Sequence, residues 1–341
     1  ASTLFLVALA LVYGVLGTLN MAEMAARIAQ ATPEQALVIR IGGGLLLLVF
    51  CAKAALMPLY TWLPDAYSRA PAAVAALFTI MTKVGIYAVL RVGTLLFGDA
   101  AGPFAGMAWG WLLPAGIATA FLAALGVMGA ERLRVAVAYL VMLSAGTLFI
   151  AIALHSPRTI AAGLYYLPHS VFVTAALFLL ADLILRVRGD TGELLRVVAP
   201  IANKTLLGVL YLVAAVSVAG LPPLSGFIGK VALLMGVDSE RIGWVWAAVL
   251  ASSLLTIMGL ARIGTRLFWR VEQQLPAAEV PPLRRLEIGA VVMLLGYGIA
   301  MTVAAEPVLA YARATTDQLL DAEQYIQSVR ETLPLLREPA R

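Results

Sequence analysis

Residues 70–90 read APAAVAALFTIMTKVGIYAVL, twenty-one residues with one charged side chain, Lys83. A helix needs about 20 mostly apolar residues to cross the hydrocarbon core of a bilayer, and runs like this recur along almost the whole chain. The composition agrees. Apolar residues make up 62% and charged residues 13%, against about half and a quarter in soluble domains. Such a chain has too little polar surface to cover itself in water. In lipid every backbone group must be paired internally. The fold class is therefore all-α, a polytopic membrane helix bundle.

Nine spans are predicted, over residues 3–19, 36–67, 71–97, 107–128, 134–154, 159–185, 204–235, 243–269 and 286–310. The tail beyond Tyr311, TTDQLLDAEQYIQSVRETLPLLR (315–337), reads as an amphipathic helix outside the bilayer. The opening run, ASTLFLVALALVYGVLGTL (1–19), lacks the basic flank and cleavage site of a signal peptide. Its abrupt start is expected of a piece of something longer.

The net charge of +5 does not point to nucleic acid, because the arginines cluster in short connections between spans. Arg132 and Arg134 follow the fourth span. Arg186, Arg188, Arg196 and Lys204 follow the sixth, and Arg266, Arg270, Arg284 and Arg285 the eighth. The positive-inside rule makes these three loops cytoplasmic and puts the tail on the other side. One cysteine, Cys51, excludes an internal disulfide. Neither His155 nor His169 has neighbours at metal-ligand spacing. No metal or cofactor is expected, and no nucleophile–base pair suggests hydrolysis.

Two spans carry proline breaks. Pro58 and Pro64 interrupt the second. Pro222 and Pro223, in GLPPLSG (220–226) between Gly220 and Gly226, interrupt the seventh. Proline removes a donor and clashes with the preceding turn. At membrane depth that is tolerated where the break is buried in protein or lines a cavity. The second and seventh spans lie five apart, an odd number, so the two broken spans cross in opposite directions, as inverted repeats of a transporter require. A kink that merely helps packing explains either break alone; two at this spacing favour transport.

Of the 24 basic residues only four are lysines, and Lys53, Lys83 and Lys230 lie inside apolar runs. Lys53 follows GGGLLLLVFCA (42–52) before the first break, and Lys230 follows PPLSGFIG (222–229) after the second. Ionisable groups at this depth usually face the bundle interior and mark an ion or proton path. Lysine can give up its proton where arginine stays charged. For each lysine alone, an ion pair or a snorkelling side chain explains as much; the three together favour function. His169 lies inside the sixth span and can shuttle protons near neutral pH, although a lone helical histidine is as readily a hydrogen-bonded structural residue. His155, at a span end, reads as an interface residue, and Lys204 as a snorkelling one. Arg91 reads as an accessory that reaches a loop or an acidic partner, Asp65 as a helix cap, and Asp182 with Arg186 as an i, i+4 pair.

The segment KAALMPLYTWLPDAYSRAPAAVAALFTIMTKVGIYAVLRV (53–92) resembles a signature of the antiporter-like subunits shared by Mrp-type cation/proton antiporters and respiratory complex I. GLPPLSGFIGK (220–230) resembles their second signature. LRVAVAYLVMLSAGTL (133–148) and LYYLPHSVFVTAALFLLADLI (164–184) are similar to two further helices. GLARIGTRLFWR (259–270) resembles the D-type subunits of the potassium/proton branch of the Mrp antiporters. The resemblance implies a partial fourteen-helix fold. Residues 1–97 would close a first inverted repeat, 107–269 form the second, and 286–341 supply the last helix and tail. It also implies a proton path along Lys53, Lys83, His169 and Lys230. The family's glutamate on its fifth helix would lie upstream of Ala1. Thr174 stands where many relatives carry a lysine five residues after the histidine, so a hydroxyl and water would bridge that gap.

The implied protein is a proton-translocating subunit of a multisubunit Na+ or K+/proton antiporter in a bacterial inner membrane, with other membrane subunits as partners. A pumping subunit of complex I or a membrane-bound hydrogenase, carrying no redox cofactor itself, is the alternative within the family. A non-conducting scaffold is the alternative outside it.

Overall fold

The computed structural model describes residues 1–189, 203–269 and 283–332, so Arg196, Arg270 and the end of the tail lie outside the described residues. The chain begins with α1 (Ser2–Leu16), α2 (Met21–Ala29), α3 (Pro33–Lys53), α4 (Trp62–Arg69) and α5 (Ala72–Leu95). The centre is α6 (Trp109–Gly129), α7 (Leu133–Ala153) and α8 (Pro157–Val187). Then follow α9 (Lys204–Ala219), α10 (Ser225–Met235), α11 (Ile242–Gly264), α12 (Arg285–Val303), α13 (Ala305–Leu320) and α14 (Ala322–Thr332). Among the described residues seven helices are long and apolar enough to cross a membrane: α3, α5, α6, α7, α8, α11 with its π-helical end, and α12. The protein is a multi-pass membrane protein.

The nine expected spans each have a helical counterpart, with corrections at four places. The first bends by 58° between α1 and α2, where Gly17 in the left-handed region ends α1 and the Asn20 side chain caps α2. The second is α3 and α4, with the break over residues 54–61. Pro58 lies in that break. Pro64 lies in the first turn of α4 instead, where a missing N–H costs the helix nothing. The seventh is α9 and α10, each too short to cross alone. The ninth ends at Val303 rather than 310, and α13 begins before Tyr311.

Lipid tails are as apolar as leucine, so close packing rather than burial from water must hold such helices together. α6 and α7 pack backbone to backbone. A Cβ on Gly146 would stand 2.6 Å from the Ala120 nitrogen and 2.9 Å from the Gly116 carbonyl oxygen. α7 is surrounded on nearly every side. Beside it runs α8, thirty-one residues long, which packs against α5, α7, α9, α10, α12 and α13. The Tyr165 hydroxyl of α8 donates to the Met301 carbonyl of α12 at 3.0 Å. At the other end of α8, Arg186 pairs with Asp182 at 3.0 Å, as expected, and also with Glu287 of α12 at 2.9 Å.

Candidate functional site

Besides Arg188 at the C-terminal end of α8 (5% exposed), three basic groups lie buried among the described residues: Lys83 on α5 (1%), His169 on α8 (1%) and Lys230 on α10 (6%). Each meets a serine hydroxyl from another helix. The Lys83 Nζ donates to Ser144 Oγ of α7 at 2.7 Å. His169 Nδ1 lies 2.8 Å from Ser225 Oγ, at the first residue of α10. Lys230 donates to Ser253 Oγ of α11 at 2.9 Å and to the Ala219 carbonyl at 2.7 Å.

The second break builds the Lys230 and His169 positions. It ends α9 at Gly220, whose φ of +77° favours glycine, and a Cβ there would stand 2.7 Å from the Lys230 Cδ. The break exposes the Ala219 carbonyl that Lys230 uses. Across it, Gly226 lets α10 approach α8: its Cβ would lie 2.1 Å from the Ser217 carbonyl oxygen and 2.7 Å from His169 Nε2. That Nε2 is buried and has no hydrogen-bond partner among the described residues. Pro168, just before His169, lies inside α8 without breaking it.

Further hydroxyl groups stand near Lys83 and His169. Ser144 and Thr147 are one turn apart on α7, and the Thr147 hydroxyl is within reach of the buried Tyr166 phenol. The Tyr166 ring lies 5.4 Å from the His169 ring, centroid to centroid. Thr174 is buried but turned into its own helix, donating to the Ser170 carbonyl at 2.6 Å.

Lys53 departs from the expectation of an interior group. It ends α3 exposed and lines a cleft of about 440 Å³ between α1, α3 and α5. Its neighbours Cys51, Ala54 and Ala55 are buried, so Lys53 is exposed because it sits on the outward side of the last turn of α3. Asp65 is not a cap; it pairs with Arg69 at 3.6 Å on an exposed face of α4. Arg91 reaches the tail and not an acidic partner, with its guanidinium 4.1 Å over the Tyr325 ring of α14. His155 stacks on Trp109 at 4.7 Å. Among the described residues no three His, Cys, Asp or Glu side chains gather as metal ligands.

Fold and site define a class: a polytopic helical membrane protein with basic side chains buried beside a broken helix. Residues 1–256 match the family described as "NADH:quinone oxidoreductase/Mrp antiporter, TM", and the chain belongs to it. It is 35% identical over 350 residues to the D subunit of a probable K(+)/H(+) antiporter from Rhizobium meliloti, covering 94% of this chain and 64% of that relative. It is 34% identical over 331 residues to the D subunit of a Na(+)/H(+) antiporter from Bacillus subtilis, covering 96% and 65%. The chain thus spans somewhat less than two thirds of these relatives. A chain in the structure of the Mrp complex from Dietzia sp. superposes with a TM-score of 0.80 at 26% identity, covering 96% of this chain and 67% of that one. A chain of respiratory complex I from Thermus thermophilus gives 0.74 at 25% identity, covering 93% and 66%.

Proposed function

We propose that this chain carries protons within a multisubunit monovalent cation/proton antiporter, along Lys83, His169 and Lys230. The observation behind this is the serine hydroxyl placed on each of those three buried groups. A hydroxyl both accepts and donates, so it can hold a charged lysine and pass its proton on by rotating. Between Lys83 and His169 the carriers are Ser144, Thr147 and Tyr166, with bridging water where two groups stand too far apart. The free Nε2 of His169 takes the proton, and Ser225 orients the ring. Lys230 receives it across the break.

Lys53 serves as the entry group of this path, facing the cleft between α1, α3 and α5. The family's glutamate would approach it there. Residues 1–97 and 107–269 then act as two inverted halves, with 286–341 closing the bundle. The family match and the two antiporter relatives support this reading.

A redox-driven pump is the second reading, favoured by the likeness to complex I. Energised inside-out vesicles from a host lacking its own antiporters, carrying the full-length subunit in its complex, separate the two. The antiporter reading expects the internal pH to shift when Na+ or K+ is added with no redox substrate. Absence of any cation response in the assembled wild type favours the pump or the scaffold.

A further inference from the structure

α8, α10 and α13 enclose a cleft of about 760 Å³ that the proton path does not touch. Its floor is apolar, built from Ala162, Phe227, Val231 and Leu309. Its mouth carries both signs of charge: Arg158 in the first turn of α8, and Arg313 and Asp317 one turn apart on α13. Arg313 is engaged with Glu306 at 3.2 Å. Arg158 and Asp317 are exposed, and their side chains make no ion pair or hydrogen bond among the described residues. One uncommitted cation and one uncommitted anion therefore face the same opening.

The depth of the cleft is marked independently. Its mouth lies where α8 begins and α10 ends, and α11 begins there with exposed Trp244 and Trp246. The Trp246 indole donates to the Leu234 carbonyl of α10 at 3.1 Å. Tryptophans gather at headgroup level, so the mouth faces headgroups and the floor faces acyl chains.

We propose that this cleft is a site for one phospholipid whose headgroup carries both a phosphate and a primary ammonium, the phosphatidylethanolamine class. The phosphate sits on the Arg158 guanidinium, whose planar fork matches it, aided by the positive end of α8. The ammonium sits on Asp317, and one acyl chain lies along the floor. The volume is within the range of ligand pockets. An anionic headgroup would meet the Asp317 carboxylate without an ammonium to neutralise it, and a choline headgroup has no N–H to donate.

The test is native mass spectrometry on the full-length subunit in its complex, delipidated and offered equimolar phosphatidylethanolamine, phosphatidylglycerol and phosphatidylcholine. Arg158→Gln and Asp317→Asn, both at exposed positions, are compared with wild type. Retained ethanolamine lipid that falls roughly tenfold in each variant supports the site, as for loss of one charge-assisted hydrogen bond. Equal retention of all three lipids, or no change in either variant, means an annular lipid only and overturns it. Sensitivity to Arg158→Gln alone, with phosphatidylglycerol preferred, means an anion site and overturns the assignment. So does a cleft that holds no lipid because another subunit covers it.

Discussion

Among the described residues Lys83 has a single hydrogen-bond partner, Ser144. A charged lysine at the bilayer centre costs about 3 kcal/mol on insertion scales, so this hydroxyl matters. Ser144→Ala should destabilise the protein by roughly 1–3 kcal/mol, the penalty of a buried donor left without an acceptor. Thermal unfolding of the purified protein measures it, and Ser144→Thr should recover part of the loss. Tyr166→Phe removes a hydroxyl while keeping the ring beside His169. It should slow proton flux with assembly unchanged, and unchanged flux would place Tyr166 outside the path. The basic groups are legible in the sequence because a charge inside an apolar run is conspicuous. Their partners are not: Ser144, Ser225 and Ser253 stand 61, 56 and 23 residues away from the groups they serve, and no local pattern pairs them. The exposure of Lys53 is hidden too, because an apolar run fixes depth but not which side of a helix end faces protein.

Between helices, glycine sets how closely backbones approach. Gly146→Leu would force α7 off α6, because its Cβ already meets backbone atoms of Ala120 and Gly116 that cannot rotate away. Overpacking of this kind costs about 1–3 kcal/mol, and the expected result is poor assembly and a lowered unfolding temperature. Gly226→Ala should act more locally, pushing Ser217 and His169 away from α10. Its expected signature is lost transport with the complex still formed. Arg186→Ala frees Asp182 and Glu287 at the end of α8. These side chains are about one-third exposed, so the cost should be only about 1 kcal/mol, read as a small fall in unfolding temperature. The breaks at 54–61 and 220–224 are legible because proline and glycine have fixed backbone consequences. The bend between α1 and α2 is not, since a left-handed glycine followed by an asparagine cap looks like any loop. Pro64, Pro114 and Pro168 show the converse, a proline accommodated inside a helix.

At the scale of the molecule, the bundle assembles around α7 and α8, and the buried basic groups approach these two helices from α5 on one side and α10 on the other. The family signatures in the sequence lie on the elements that hold those groups. Ser144, Thr147, Tyr166 and Ser225 fall within the family-like segments, but which basic group each hydroxyl meets, like the cleft under α13, is set by helices distant in sequence. The central claim is that protons pass along this buried row. Its most direct test compares Lys83→Ala with wild type, at matched assembly of the full-length subunit in its complex, in energised inside-out vesicles. The account predicts that the cation-dependent pH response falls at least about tenfold, the scale expected when a group that moves protons is removed. An undiminished response in assembled Lys83→Ala would contradict it, and would leave the chain as a scaffold around a path that lies elsewhere.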